Sequence, residues 1–475
     1  MPKIAGNIDL ALPARATDRS LSAWIYQELC RAIASGKLRP GTRLPSTRAF
    51  ATQHGISRGT VVAVFEQLKS EGYLRTGKGA GTWINPRLAI RRTAPINGWH
   101  ANARYPPTPL VGLQFSYPPR PFRLDVPAID LFPIREWARM AARRLRRDSV
   151  LLLGGRDRRG FEPLRTAIAS YLGASRGVAC TPDQIFVVSG IQQALDLIAR
   201  ALIKPGQSVW MEDPGYFGAL LAFRNAGATV IPVPVDEQGI NPTRARGRAK
   251  LAYVTPAHQF PLGVTMSVQR RLQVLAWARE SGCFVVEDDY DSEFRFASLP
   301  MPALQSLDDS DRVILVGSFN KLMFPALRIG YIVAPAPLVD PLAALRFGID
   351  LGSFAVDQAV LADFIEHGAL SRHLRRMRDI YGNRLGILRD SCSKHLRGLV
   401  ELSHVQAGLF APAFLRNGMN SRHAEEIAAG RGLESMGLHR FSLRGKDHKG
   451  LLLGFGAFDE TSIREAVISL ARALG

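Results

Sequence analysis

The chain has 475 residues, 46% of them hydrophobic and 21% charged, with a net charge of +20; this composition excludes disorder and leaves room for two or three domains with a large core. Its four cysteines, Cys30, Cys180, Cys283 and Cys392, show no paired spacing, which argues against a disulfide framework or a metal site and for a reducing compartment. With neither a bilayer-length apolar run nor a charged-then-apolar leader, the expected setting is cytoplasmic, with no membrane partner.

Charge is concentrated at the start, where residues 1–92 hold 15 Lys plus Arg against 5 Asp plus Glu. Phosphate backbones attract such a segment whatever their base sequence. Leu21, Trp24, Ile25, Leu29 and Ile33 recur at helical spacing and Gly36 follows where a helix would end, so an amphipathic helix is predicted. Residues 44–53 read as a short helix, His54-Gly55-Ile56 as a tight turn, and Ser57 as the cap of a further helix that buries Val61, Val64, Phe65 and Leu68. Together they make a helix-turn-helix unit. Arg58 and Thr60 fall in the first turn of its second helix, where side chains reach base edges and phosphates in a major groove. Residues 73–84 give two short extended runs about a Gly-rich turn, a candidate wing.

Residues 86–119 are rich in Pro, Arg, Asn and Ala without periodicity and read as a stiff linker. Over residues 120–475 strands alternate with helices, the pattern of an α/β doubly wound sheet. Within that body the apolar run Ile185–Val188 leads into Ser189-Gly190-Ile191-Gln192, a strand, tight turn and helix start that offers backbone N–H groups to an anion. Residues 283–286 end in Glu287-Asp288-Asp289-Tyr290. There Asp288 and Tyr290 share one face, so a carboxylate can pair with a protonated pyridine nitrogen while a phenol reaches the neighbouring ring oxygen. Residues 312–316 read as a strand buried on both faces, and Lys321 lies just past its end, at the edge where open α/β sheets bind ligands. Ser318 and Arg328 offer hydroxyl and guanidinium donors to a phosphate monoester. Amine, hydroxyl and guanidinium together point to pyridoxal 5'-phosphate, with Lys321 as the Schiff-base residue.

These motifs carry two resemblances. Arg43-Leu-Pro-Ser46-Thr-Arg48, Gly55-Ile-Ser-Arg58-Gly-Thr60-Val, Glu71-Gly-Tyr-Leu74 and Gly79-Ala-Gly-Thr82 resemble the α+β winged helix-turn-helix of GntR-family regulators, over residues 15–85. That resemblance implies DNA contacts from Arg48, Ser57, Arg58 and Thr60, with Lys78 and Gly79 at a wing tip by the minor groove. The body set, from the Gly190 turn through Asp288, Tyr290 and Lys321 to Arg328, resembles fold-type I enzymes of the aminotransferase superfamily. With Leu131-Phe-Pro-Ile-Arg-Glu-Trp137, Glu212-Asp-Pro-Gly-Tyr216, Thr255-Pro-Ala-His-Gln-Phe-Pro261 and Phe324-Pro-Ala-Leu-Arg-Ile-Gly-Tyr331, nearly the whole chain is similar to MocR or GabR-type transcriptional regulators.

The similarity implies that Tyr216 stacks on the pyridine ring, that Gln192 and the Ile191 N–H touch the phosphate, and that Lys321 holds the cofactor. It also implies a head-to-tail homodimer that binds operator DNA and answers to an amine, an amino acid or the cofactor itself, with catalytic turnover not expected. Three departures stand out. Gly155 replaces a Tyr that commonly reaches the partner subunit's phosphate, Ile191 replaces a hydroxyl residue, and Leu451, Leu452 and Leu453 stand where aminotransferases place a carboxylate-clamping Arg, with Arg440 and Arg444 as nearby cations. The rival reading is an active aminotransferase with a DNA-tethering head.

Overall fold

The structure, a computed structural model, describes residues 20–77, 81–88, 117–154, 158–296, 301–350, 355–416 and 418–475. The expected wing tip at Lys78 and Gly79, the Gly155 departure and all but the ends of the expected linker lie outside the described residues. Two compact units divide the chain, residues 1–107 and 108–475.

In the first unit α1 (Leu21–Ala34) buries Ile25, Leu29, Ala32 and Ile33, the stripe its sequence period requires. A two-residue strand, β1 (Arg43–Leu44), precedes α2 (Thr47–His54) and α3 (Arg58–Ser70). Serines cap both of these helices: Ser46 Oγ accepts from the Ala49 N–H at 3.1 Å and Ser57 Oγ from the Thr60 N–H at 3.1 Å. Gly55 ends α2 in the left-handed region at φ +63°, where a side chain would be strained. The buried face of α3 is Val61, Val64, Phe65 and Leu68, as its spacing requires. β2 (Leu74–Gly77) and β3 (Gly81–Ile84) form the antiparallel wing, and β1 adds a third strand by pairing Arg43 with Trp83 and Leu44 with Thr82. The expectation of a helix from residue 44 is corrected here: Pro45 disfavours helical backbone at the residue before it, so Leu44 is extended.

The second unit is built on an eight-stranded sheet ordered β4-β11-β10-β9-β8-β5-β6-β7. Its strands are β4 (Ile185–Val188), β5 (Ser208–Asp213), β6 (Thr229–Asp236), β7 (Gly239–Ile240), β8 (Leu251–Val254), β9 (Phe284–Asp289), β10 (Val313–Ser318) and β11 (Gly330–Val333). Strands β6, β5, β8, β9 and β10 pair parallel in turn, while β11 runs antiparallel to both β10 and β4. The carboxyl ends of β4, β5, β8, β9 and β10 therefore share one edge, the place for a ligand in such sheets. Helices α4 (Ile134–Arg147), α5 (Ser149–Gly154) and α6 (Glu162–Arg176) come before the sheet, α7 (Ile191–Leu202), α8 (Phe217–Asn225) and α9 (Val268–Ser281) fall between its strands, and α10 (Val339–Ile349) follows the last of them.

Alternate strand residues enter different cores: Val187 and Leu315 pack with Leu164 and Ile168 of α6, whereas Val188, Ile314 and Val316 pack with Ala194 and Leu195 of α7. Burial on both faces is why these strands read as unbroken apolar runs. α11 (Ala355–Glu366) and the long α12 (Ala369–His395) lead to a second sheet ordered β12-β13-β15-β14, made of β12 (Val400–Leu402), β13 (Phe410–Leu415), β14 (Met436–Gly437) and β15 (Gly450–Gly454). α13 (Ser421–Gly430) and α14 (Glu460–Leu474) complete the unit. Among the described residues no helix is long and apolar enough to cross a membrane.

Candidate functional site

β10 is buried from Val313 to Ser318, and the turn beyond it carries Lys321 into a cavity at the carboxyl edge of the sheet. Lys321 Nζ lies 2.5 Å from Asp125 Oδ1 and 4.2 Å from the centroid of the Tyr290 ring. Burial would lower the pKa of this amine, but the Asp125, Asp291 and Asp288 carboxylates outweigh it and hold the pKa above the usual lysine value. The Tyr290 hydroxyl donates to the His258 carbonyl at 2.7 Å, so the phenol expected at a ring oxygen presents its ring face to the amine and directs its proton elsewhere.

On β9 the period-two rule separates three consecutive carboxylates. Glu287 accepts from the Leu304 and Gln305 N–H groups at 2.7 and 2.8 Å, and Asp289 pairs with buried Arg176 at 3.0 Å. Asp288 instead lines the cavity. Its Oδ2 accepts from the Tyr253 hydroxyl at 2.6 Å, while its Oδ1 is buried without a hydrogen-bond partner. Burial pushes its pKa up to about 7, against the opposing pull of Tyr253 and Lys321.

Gly190 caps α7 at φ +103°, and a Cβ there would sit 3.5 Å from Asn320 Nδ2 and 3.6 Å from Arg328 Cζ. The close approach brings the helix N-terminus, with its unpaired first-turn N–H groups, next to the guanidinium. Arg328 itself is left-handed at φ +51°, a backbone that costs an L-residue energy and is held here by the surrounding fold. Ser318 Oγ accepts from the Asn320 N–H at 3.2 Å, and Asn320 Oδ1 is buried without a partner. Gln192, expected at a phosphate, donates its side-chain amide to the Gly218 carbonyl at 3.0 Å. Gly218 makes room for the Tyr216 ring, since a Cβ there would come within 2.5 Å of it.

The cavity thus gathers Ile191, Gln192, Tyr216, Asp288, Tyr290, Ser318, Lys321 and Arg328, with Gly190 at its wall. Asp125, Tyr253, Thr255, Phe260 and Asn320 also line it and were missed by sequence reasoning. Tyr253 and Thr255 carried a signal, a polar group at the end of the apolar run of β8; Asp125 carried none, because it lies in an irregular segment. Two motifs quoted apart in the sequence bond to each other, with Glu212 accepting from Thr255 Oγ1 at 2.6 Å and from Gln259 Nε2 at 3.2 Å. Of the candidate clamps, Arg440 donates to Glu425 at 2.8 Å and Arg444 to the Pro232 carbonyl at 2.5 Å. Leu451, Leu452 and Leu453 are wholly buried in β15.

In the first unit Arg48, Ser57 and Arg58 are exposed and Thr60 is half-buried. The Ser57 and Thr60 hydroxyls lie 2.7 Å apart, which ties both to the helix cap.

A winged helix-turn-helix followed by a doubly wound body with a lysine at its carboxyl edge defines a class: a DNA-binding head fused to an aminotransferase-type domain. Residues 21–84 match the bacterial regulatory proteins of the gntR family, and residues 123–427 match aminotransferase class I and II. The probable rhizopine catabolism regulatory protein MocR of Rhizobium meliloti is 37% identical over 468 residues, covering 97% of this chain and 94% of that one. The pyridoxine biosynthesis transcriptional regulator PdxR of Corynebacterium glutamicum is 32% identical, with 96% of each chain covered. The structure of LysN, an α-aminoadipate aminotransferase from Thermus thermophilus complexed with N-(5'-phosphopyridoxyl)-L-leucine, superposes with a TM-score of 0.69 at 29% identity, over 74% of this chain and 91% of that one. The chain belongs to the MocR group of GntR-family transcriptional regulators.

Proposed function

We propose that this regulator holds pyridoxal 5'-phosphate in the cavity of its body, and that an amine ligand arriving there changes how the head engages operator DNA. The observation that carries the reading is one cavity holding a half-buried lysine and a buried carboxylate oxygen that lacks a donor. Asp288 Oδ1 fits a protonated ring nitrogen, because an unpaired buried carboxylate oxygen is costly and a cationic N–H supplies both charge and hydrogen bond. The corner formed by Gly190, the α7 N-terminus, Ser318 and Arg328 fits a phosphate. In the Thermus structure the bound adduct is itself a phosphopyridoxyl amino acid.

When bound, the cofactor supplies an aldehyde carbon open to amines and an electron-withdrawing ring. Lys321 would anchor the cofactor through its amine, Asp288 would keep a proton at the ring nitrogen, and Tyr216 would supply an aromatic wall beside it. Ile191 offers the phosphate its backbone N–H alone, and Gln192 steadies the turn that carries Tyr216. The head, residues 15–85, contacts DNA through Arg48, Ser57, Arg58, Thr60, Lys78 and Gly79, and residues 86–119 link it to the body, residues 120–475. A head-to-tail homodimer acting in the cytoplasm completes the reading. It is supported by the apolar residues Ile134, Val150 and Leu153 that α4 and α5 leave exposed.

The test is borohydride reduction of the pure protein followed by peptide mass mapping. The adduct is expected on Lys321, and Lys321→Ala should lose both the adduct and the visible absorption band. A Lys321→Ala protein that keeps the same band would overturn the assignment.

A further inference from the structure

Asp125 takes no part in holding the cofactor, yet its Oδ1 lies 2.5 Å from Lys321 Nζ, the atom whose place an incoming amine must take. Its backbone is fixed on both sides. Phe122 bridges to Gly454, Leu124 is buried in a cluster with Phe260, Tyr290 and Phe410, and the Ala128 N–H donates to the Tyr381 hydroxyl at 3.0 Å. Asp125 sits at φ +62°, a left-handed conformation that Asp, Asn and Gly tolerate better than other residues. The backbone under the carboxylate is therefore fixed, and the carboxylate itself, 49% exposed, stands at the mouth of the cavity beside Lys321.

The charge balance around it is one-sided. Among the described residues that line the cavity, the cations are Lys321 and Arg328. The first bonds to the cofactor and the second stands beside the Gly190 turn, at the phosphate corner. Arg440 and Arg444 are committed to Glu425 and to the Pro232 carbonyl, and Leu451, Leu452 and Leu453 are core. A ligand whose reacting carbon carried a carboxylate would bring that group toward Asp125 with no further cation among the lining residues to receive it, and like charges at such range repel, by a modest amount where one of them is half exposed.

We propose that Asp125 determines ligand specificity: the site selects primary amines that carry no carboxylate on the reacting carbon and discriminates against α-amino acids. The proposal rests on the reading that Lys321 anchors a pyridoxal cofactor. It is tested on the full-length, cofactor-loaded protein by titrating the visible spectrum with matched pairs, 1-aminobutane against L-norvaline and 1-aminopentane against L-norleucine, each with a single amine and differing only in the α-carboxylate. The amine of each pair should bind at least ~10-fold more tightly. Asp125→Asn and Asp125→Gly, both compatible with the backbone, should shrink that ratio about 10-fold, through tighter binding of the amino acid. A wild-type ratio near one or inverted, or a wild-type ratio kept in both variants, would overturn the role of Asp125 while leaving the cofactor in place. A wild-type protein with neither visible band nor borohydride adduct would instead overturn the cofactor reading, and this proposal with it.

Discussion

At Asp288, buried at the carboxyl edge of the sheet, the proposed cofactor contact and the stability of the body meet in one residue. Its pKa is pushed up to about 7 by burial, and Glu212 and Glu293 are pushed up to about 7 by the same cause, whereas in an unfolded chain such groups ionise near pH 4. From about pH 4 to 7 the folded body thus binds more protons than the unfolded chain, so its stability falls as pH rises through that window. Asp236, Asp308, Asp363 and Asp447 are shifted down and act in the opposite sense, but below about pH 4. His373, His439 and His448 are shifted down by burial and add stability as pH rises toward about 6.5, so the drop in melting temperature that the raised carboxylates impose between about pH 5 and 8 is isolated by comparing the cofactor-free wild type with a variant. Asp288→Asn should flatten the drop while weakening cofactor retention, because the ring nitrogen loses its counter-charge. Calorimetry at the two pH values checks this; an unchanged pH dependence in the variant would mean that Asp288 is ionised throughout. Asp288 and Lys321 were legible in the sequence because each ends an apolar run, and a polar group at a strand end has few places to be other than the carboxyl edge. Asp125 and Asn320 were not legible, since what makes them matter is a close approach across nearly 200 residues in one case and an orphaned amide oxygen in the other, and neither leaves a periodic trace.

The helix α3 separates folding from recognition within a single turn. Ser57 Oγ caps it through the Thr60 N–H, so Ser57→Ala should lower the stability of the head by about 1 kcal/mol. Neighbouring Arg58 is exposed; Arg58→Ala should leave the head's melting unchanged and reduce operator affinity by about 1–3 kcal/mol if the guanidinium reads a base. Thermal melts and binding titrations on the two variants distinguish these roles, and equal losses on operator and random DNA would reassign Arg58 to the phosphate backbone. The head's three helices could be read from period and caps because those signals are local. Strand pairing is not local. The expected helix took in Leu44, and the Arg43–Leu44 strand was missed, because its partners, Thr82 and Trp83, lie about forty residues away and only the restriction imposed by Pro45 hinted at it. Likewise the apolar runs of β4, β9 and β10 identified buried strands, but nothing in them gave the sheet order that sets β11 between β4 and β10.

At the scale of the whole molecule, one chain joins a DNA-binding head to an aminotransferase-type body, and the question is whether the body also turns over. Transamination needs the bond to the departing α-proton held perpendicular to the ring, which a clamp on the substrate carboxylate helps to achieve, and misplacement by ~1 Å can cost on the order of a hundredfold in rate. Here the clamp strand β15 offers Leu451, Leu452 and Leu453 to the core, Arg440 and Arg444 have other partners, and Asp125 stands beside the reacting amine. Ligand exchange at Lys321 requires none of these missing pieces. On the proposed reading, an amine would bind, alter charge and shape in the cavity and bias a conformational equilibrium felt by the head, without being converted. We expect the cofactor-saturated protein to transaminate α-amino acids far below the ordinary enzymatic range. The check is steady-state turnover across a panel of amino donors with a keto-acid acceptor. A kcat within roughly 1 to 1000 per second would show that the carboxylate is oriented by some other means and would favour an active aminotransferase tethered to DNA.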